Sequence, residues 1–228
     1  MFEGNRSDTK TVEEMLTALE KRIGKQKGKT VVVDRGMAYD KNLQEIVAQG
    51  YHYIVASRQG ERDEYLDEFE EEVGWQEVLR QPSARNPFDK KCRVLIKQKQ
   101  VEDEVCILCR SEGREGKDRA IREKQEEKLL KDLGKLEKRV KEGKLVKEAK
   151  INQAIGRLRE RYPRVSRYYR IEYNPKERVM WWEQNREKKE KAKLLDGGYL
   201  LKTDRQDLSQ EEIWRTYMLL TRVETAFR

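Results

Sequence analysis

Asp34 closes a run of β-branched residues, Thr30-Val31-Val32-Val33, and a glycine-containing turn, Arg35-Gly36, follows it. A carboxylate at the C-terminal end of a strand buried on both faces stands where ligands bind in open α/β sheets. The plainer reading is an Asp that caps the turn after it. A second carboxylate, Glu224, shares the C-terminal segment with Tyr217, Thr221 and Arg228 at spacings of four, three and four. Those spacings put the four residues on one face of a helix. Carboxylate oxygens suit a hard divalent cation, and a Tyr hydroxyl and an Arg guanidinium suit phosphate oxygens. The plainer reading here is a solvated face with a Glu224–Arg228 ion pair. Taken singly, each acid is better explained by its plainer reading.

The elements that must position these residues follow from hydrophobic periodicity. Val12, Met15, Leu16, Leu19 and Ile23 predict a helix over 10–23, with Thr9 or Asp8 as N-cap. The strand 30–34 comes next, and Gly36 breaks it. Leu43, Ile46 and Val47 mark a second helix closed by Gly50, and 51–57 (YHYIVAS) is a second strand. This β-α-β order implies parallel strands and an α/β core. From about 60 to 205 the texture changes. Residues 75–80, 91–98 and 103–110 read as strands, the last two as a hairpin. Leu129, Leu133, Leu136 and Val140 stripe a charged helix over 117–141, and Ile151, Ile155 and Leu158 stripe another over 145–161. With Gly143 between them they form an antiparallel helical hairpin. Strands are expected at 164–173 and 177–183, joined by Asn174-Pro175, and at 197–203. Ser209 and Glu212 form a capping box for a last helix, 209–228, whose apolar stripe is Ile213, Thr216, Leu220, Val223 and Phe227. The helix has no stop signal, which suggests truncation.

Charged residues make up 41% of the 228, yet there are four Trp, ten Tyr and several Val/Ile-rich runs. That is a folded protein with much solvated helix surface rather than a disordered chain. Lys and Arg outnumber Asp and Glu by 51 to 43, a net charge of +8, which raises the odds of a polyanionic partner. No apolar run approaches the ~20 residues of a membrane span, and the N-terminus lacks a signal-peptide core, so the expected location is the cytoplasm. Three Cys argue against a disulfide framework. Cys106 and Cys109 have a zinc-like spacing, but on a strand they face opposite sides. His52, the single His, reads as structural, and Trp181-Trp182 as a core or rim pair. The mixed charges of 117–141 read as a solvated coiled-coil face.

Four segments carry a family resemblance. VVVDRGMAYDKNLQEIVAQGYHYIVASR (31–58) resembles the second-Asp segment of bacterial insertion-sequence DDE transposases, and FEGNRSDTKT (2–11) resembles the segment upstream of it. DGGYLLKTD (196–204) and YMLLTRVETAFR (217–228) resemble the family's final strand and catalytic helix. The resemblance implies an α/β fold with an incomplete ribonuclease H-like core: helix-strand-helix-strand in 1–59 and the catalytic helix in 206–228. An α+β region, 60–205, is inserted between them and contains the helical hairpin of about 117–161. It implies Asp34 as the second catalytic Asp and Glu224 as the catalytic Glu, both ligating Mg²⁺ in a two-metal site. Tyr217 matches the Tyr of a Tyr-Arg-Glu-Lys signature. The signature's Arg falls on Leu220, so Arg222 and Arg228 are left to share the phosphate contact. Its Lys would lie beyond Arg228, and the first catalytic Asp would precede residue 1. The implied partners are DNA, both transposon ends and target, with a homodimer of the full-length protein left open and no membrane. The implied chemistry is phosphoryl transfer in DNA cleavage and strand transfer, by a fragment inactive alone. The rival reading is a non-catalytic nucleic-acid-binding or coiled-coil scaffold protein.

Overall fold

The computed structural model describes residues 12–82, 88 and 90–226, without the side chains at 221, 222 and 224–226. The expected cap at Asp8 or Thr9 and the segment 2–11 therefore lie outside the described residues. In chain order the elements are α1 (Val12–Ile23), β1 (Thr30–Val33), α2 (Asp40–Ala48), β2 (His52–Ala56), α3 (Leu66–Glu70), β3 (Gln76–Arg80), β4 (Cys92–Val101) and β5 (Glu104–Ser111). Then come α4 (Glu112–Lys141), α5 (Glu148–Arg161), α6 (Pro163–Ser166), β6 (Tyr169–Asn174), β7 (Val179–Gln184), α7 (Arg186–Leu194), β8 (Gly198–Thr203) and α8 (Gln210–Ala226). Short 3-10 turns fill Arg35–Met37 and Glu61–Tyr65. The chain divides into two compact units, residues 1–113 with 197–228, and residues 114–196.

The first unit is an α/β structure around one mixed sheet of order β1-β2-β8-β5-β4-β3. Only β1 and β2 are parallel, in register from Thr30↔His52 to Val33↔Val55, and the other neighbours are antiparallel. The apolar run of β1 is explained by cover on both faces. Val33, Tyr53 and Val55 join Val12 and Leu16 of α1 and Leu43 and Ile46 of α2 in one cluster. Val32, Ile54 and Ala56, the alternate residues, turn into a second cluster with β4, β5, β8 and the α8 residues Ile213 and Trp214. The strands at 76–111 and 198–203 are thus continuous with the parallel pair, in one sheet.

The second unit is a helical hairpin with a two-stranded ribbon. Arg161 and Tyr162 reach Asp132, and Arg164 reaches Asp118, so α5 runs back along α4. Leu129, Leu133, Leu136 and Val140 meet Ile151, Ile155 and Leu158, and the inner face of β6–β7 adds Ile171 and Met180. Two expectations need correction. The strand expected over 164–173 begins only at Tyr169, because Pro163 starts the helical turn α6 and its Val165 and Ser166 are buried. Residues 186–194 form a helix that no apolar stripe announces; the Asn185 side chain caps it by accepting from Lys188 N at 2.9 Å.

Candidate functional site

Asp34 follows β1 with φ −79° and ψ 164°, an extended conformation. Strand alternation therefore continues through it, and its side chain shares the side of Val32, the side that α8 covers. It is exposed and makes no capping hydrogen bond. The turn after it closes without the Asp34 side chain: Met37 N donates to Asp34 O at 2.9 Å, Ala38 N to Arg35 O at 3.2 Å, and the Asn42 side chain to Met37 O at 3.1 Å. The capping explanation of Asp34 thus fails in this fold. What is left is a carboxylate at the C-terminal end of a two-face-buried strand.

The second carboxylate rides on α8, whose course is set at its start. Gln210 donates to Gln76 of β3 at 2.7 Å, and Gln76 donates to Glu211 at 2.8 Å. The capping box forms, Ser209 N and Oγ both donating to Glu212 at 2.9 and 2.7 Å. Trp214 Nε1 donates to the Tyr199 hydroxyl at 2.9 Å, and Tyr217 and Met218 pack half-buried on the sheet cluster that includes Val32. The helix packs against β4, β5, β2 and β1. Its 17 residues span roughly 25 Å, about the width of six strands. Having begun over β3, it brings its C-terminal half nearest β1. Glu224 belongs to that half. The side chains of Arg222 and Glu224, and the whole of Arg228, lie outside the described residues. The helix uses a different face from the one expected. Its sheet-facing residues are Ile213, Trp214, Tyr217 and Met218, while Val223 of the expected stripe is 50% exposed. Tyr217 is therefore a core-rim residue rather than one beside the seam.

Two cations at this end of the sheet escaped the sequence reading. β1 and β2 end level, so residues just beyond both strands come together. Arg35 follows Asp34, and its Nε is buried without a hydrogen-bond partner among the described residues. Arg58 follows β2 and lies over the Tyr39 ring, 3.9 Å from its centroid. The available signal was register: in a parallel pair, the residues after both strands share one rim.

The opposite end of the sheet holds acids whose oxygens are already engaged. Asp204 pairs with His52 Nδ1 at 2.7 Å and accepts Tyr53 N at 2.9 Å. Glu104 takes the Tyr53 hydroxyl. Burial and that Glu104 contact push the Tyr53 phenol far up. His52 is thus tied to the strand end, as a structural residue. Cys109 faces the α8 cluster while Cys106 meets the Tyr65 hydroxyl at 3.4 Å on the other face. The two thiols cannot share a metal. Trp181 lies at the ribbon's exposed face beside Arg170, and Trp182 packs on the helical core.

The mixed sheet with helices packed on it is compatible with the α/β core of a DDE domain. A family model described as the transposase DDE domain matches residues 1–228, and the chain belongs to that family. No curated protein and no solved structure matches it. Family members generally use a divalent metal, and membership does not favour the scaffold reading. Among the described residues no three His, Cys, Asp or Glu side chains converge on a metal position. Among the described residues no helix is long and apolar enough to cross a membrane.

Proposed function

We propose that the chain is part of a DNA transposase core in which Asp34 and Glu224 hold divalent metal, Mg²⁺ in the cell. The observation that carries this is Asp34 itself: an exposed strand-end carboxylate, uncapped, on the side of the sheet that α8 crosses. Carboxylate oxygens of this kind fit a hard cation. When bound, two such ions activate the attacking oxygen and stabilise the leaving one in an in-line displacement at DNA phosphorus. The chain's own contribution is to hold and orient. Tyr217, Arg222 and Arg228, with Arg58 from the β2 rim, engage phosphate oxygens and place the scissile strand. In this reading the first unit is an incomplete ribonuclease H-like core. Among the described residues β1 is an edge strand of the sheet, and that edge would take the strand bearing the first Asp. With two of three carboxylates, this polypeptide binds metal weakly and neither nicks DNA nor joins strands. Transposon ends and target DNA are the partners.

Calorimetry with Mn²⁺ tests the metal site. Weak binding to the unaltered chain, abolished by Asp34→Asn and by Glu224→Gln, is expected. Tight binding indifferent to both substitutions would remove these residues from the site.

A further inference from the structure

The basic excess of the chain is confined to one unit. Residues 114–196 hold 27 Lys and Arg against 16 Asp and Glu, whereas the rest of the chain holds 24 against 27. Within that unit the charges are also sorted by face. On α4, positions 117, 121, 124, 128, 131, 135 and 138 alternate by four and three, so they form one row. Six of the seven are lysines, all exposed, and the seventh is Ile121. The leucine row of the same helix is spent on the core with α5. The glutamates that made this helix look evenly mixed, Glu123 and Glu127, stand one row over, and Glu126 is buried.

Five of the nine lysines elsewhere in this unit are neutralised: Lys141 by Glu137, Lys144 by Glu142, Lys189 by Glu126, Lys191 by Glu187 and Lys193 by Glu190. In the row, Lys135 pairs with Asp132 and Lys138 approaches Glu142 at 3.8 Å. Lys117, Lys124, Lys128 and Lys131 enter no ion pair among the described residues. Lys124 and Lys128 are four apart, Lys128 and Lys131 three apart, and such like-charged neighbours repel along a helix. Repulsion of this kind is relieved by a polyanion laid on the row.

We infer that the lysine row of α4 is a docking face for the phosphate backbone of duplex DNA. The row runs about 32 Å at 1.5 Å per residue, close to one turn of B-DNA. It drifts only ~20° per heptad, so it stays on one side of the helix. Lysines are point charges that position a duplex without reading its sequence. A membrane surface would need an apolar face beside the lysines, and the core has already taken it. This inference rests on the transposase reading for its partner and adds where the DNA is held.

The test is fluorescence anisotropy of a short labelled duplex titrated with the full chain across a salt series. One triple variant is Lys124→Gln/Lys128→Gln/Lys131→Gln. The other, with the same charge change, is Lys144→Gln/Lys191→Gln/Lys193→Gln. The row variant should make the log–log salt slope shallower by about 2.7 and weaken binding at 0.1 M salt by on the order of 100-fold. The second triple should move the slope by less than about one. Lys128→Gln alone should move it by about one, with unchanged circular dichroism. Equal effects of the two triples, or none from the row, would overturn the inference alone. Absence of binding by the unaltered chain would instead overturn the DNA-partner reading beneath it.

Discussion

The two units solve the problem of an interior in different ways. In the first, β-branched and aromatic side chains fill the α8-covered face of a six-stranded sheet and the α1–α2 side of its parallel pair, while the remaining face carries Lys202 paired with Glu61 and a buried Arg62 that donates to Gly198 O at 3.0 Å. In the second, the interior is partly ionic. Arg122, 4% exposed, pairs with Asp196. Glu126 accepts from Tyr169 at 2.5 Å, Gln184 at 2.7 Å and Lys189 at 2.8 Å. One carboxylate on α4 therefore ties together β6, β7 and α7. A two-stranded ribbon is marginal by itself and can slip in register. A buried polar set satisfied in one arrangement only selects that arrangement, at the cost of desolvation. The small, highly charged unit draws more of its specificity from one connected ionic set, the larger one more from its two apolar clusters.

The largest expected effect probes that contrast. Arg122→Ala removes the buried member of the pair and leaves the half-buried Asp196 without it, and breaking a buried pair costs about 3–5 kcal/mol. Hydrogen exchange on the variant should lose protection in α4, α5, β6 and β7 while β2, β5 and β8 keep theirs. Simultaneous loss everywhere would mean that the two units unfold as one.

A smaller and pH-dependent effect belongs to Glu126. Burial raises its carboxyl, but the hydrogen bonds from Lys189 and Tyr169 outweigh this and hold it below the usual range. A depressed folded value means stability that is present above the unfolded value and lost as pH falls through the folded one. Glu126→Gln should therefore cost about 1.5–3 kcal/mol near neutrality. The gap to the unaltered chain, followed by urea unfolding, should close below the ordinary glutamate range. Asp196 works in the opposite sense, because burial lifts its carboxyl despite Arg122. A gap that widened on acidification would show that Glu126 is not ionised in the fold.

How much of this could be read from sequence depended on whether the pattern named a single face. β1 and β2 were readable because a β-branched run next to a helix period has one explanation. The leucines of α4 and the Ser209–Glu212 box were readable for the same reason. The face of α8 was not: Trp214, Tyr217, Met218, Leu219, Leu220 and Val223 make it apolar nearly all round. Periodicity cannot choose between rows that are all apolar, and packing on the sheet chose the aromatic one. α7 was hidden because its nine residues bury only Ala192. Net charge concealed most, since +8 for the chain averages an acidic unit with a strongly basic one. In the candidate site, Asp34 could be proposed from its strand, while its uncapped state needed coordinates, and Arg58 needed the strand register.

The smallest expected effect on stability is also the sharpest test of the first unit. If Asp34 capped its turn, removing the charge would weaken a hydrogen bond to a backbone amide, and loss of such a cap costs about 1 kcal/mol. In the fold it makes no such bond, and backbone contacts with the Asn42 side chain close the turn. Asp34→Asn keeps size and shape and removes only the charge. The midpoint of thermal or urea unfolding should then stay within about 0.5 kcal/mol of the unaltered chain, while the weak Mn²⁺ affinity disappears. A carboxylate that contributes nothing to the fold yet governs a cation is held there for the cation. A clear loss of stability with no change in metal affinity would return Asp34 to a structural role, and the case for a catalytic rim at the end of β1 would go with it.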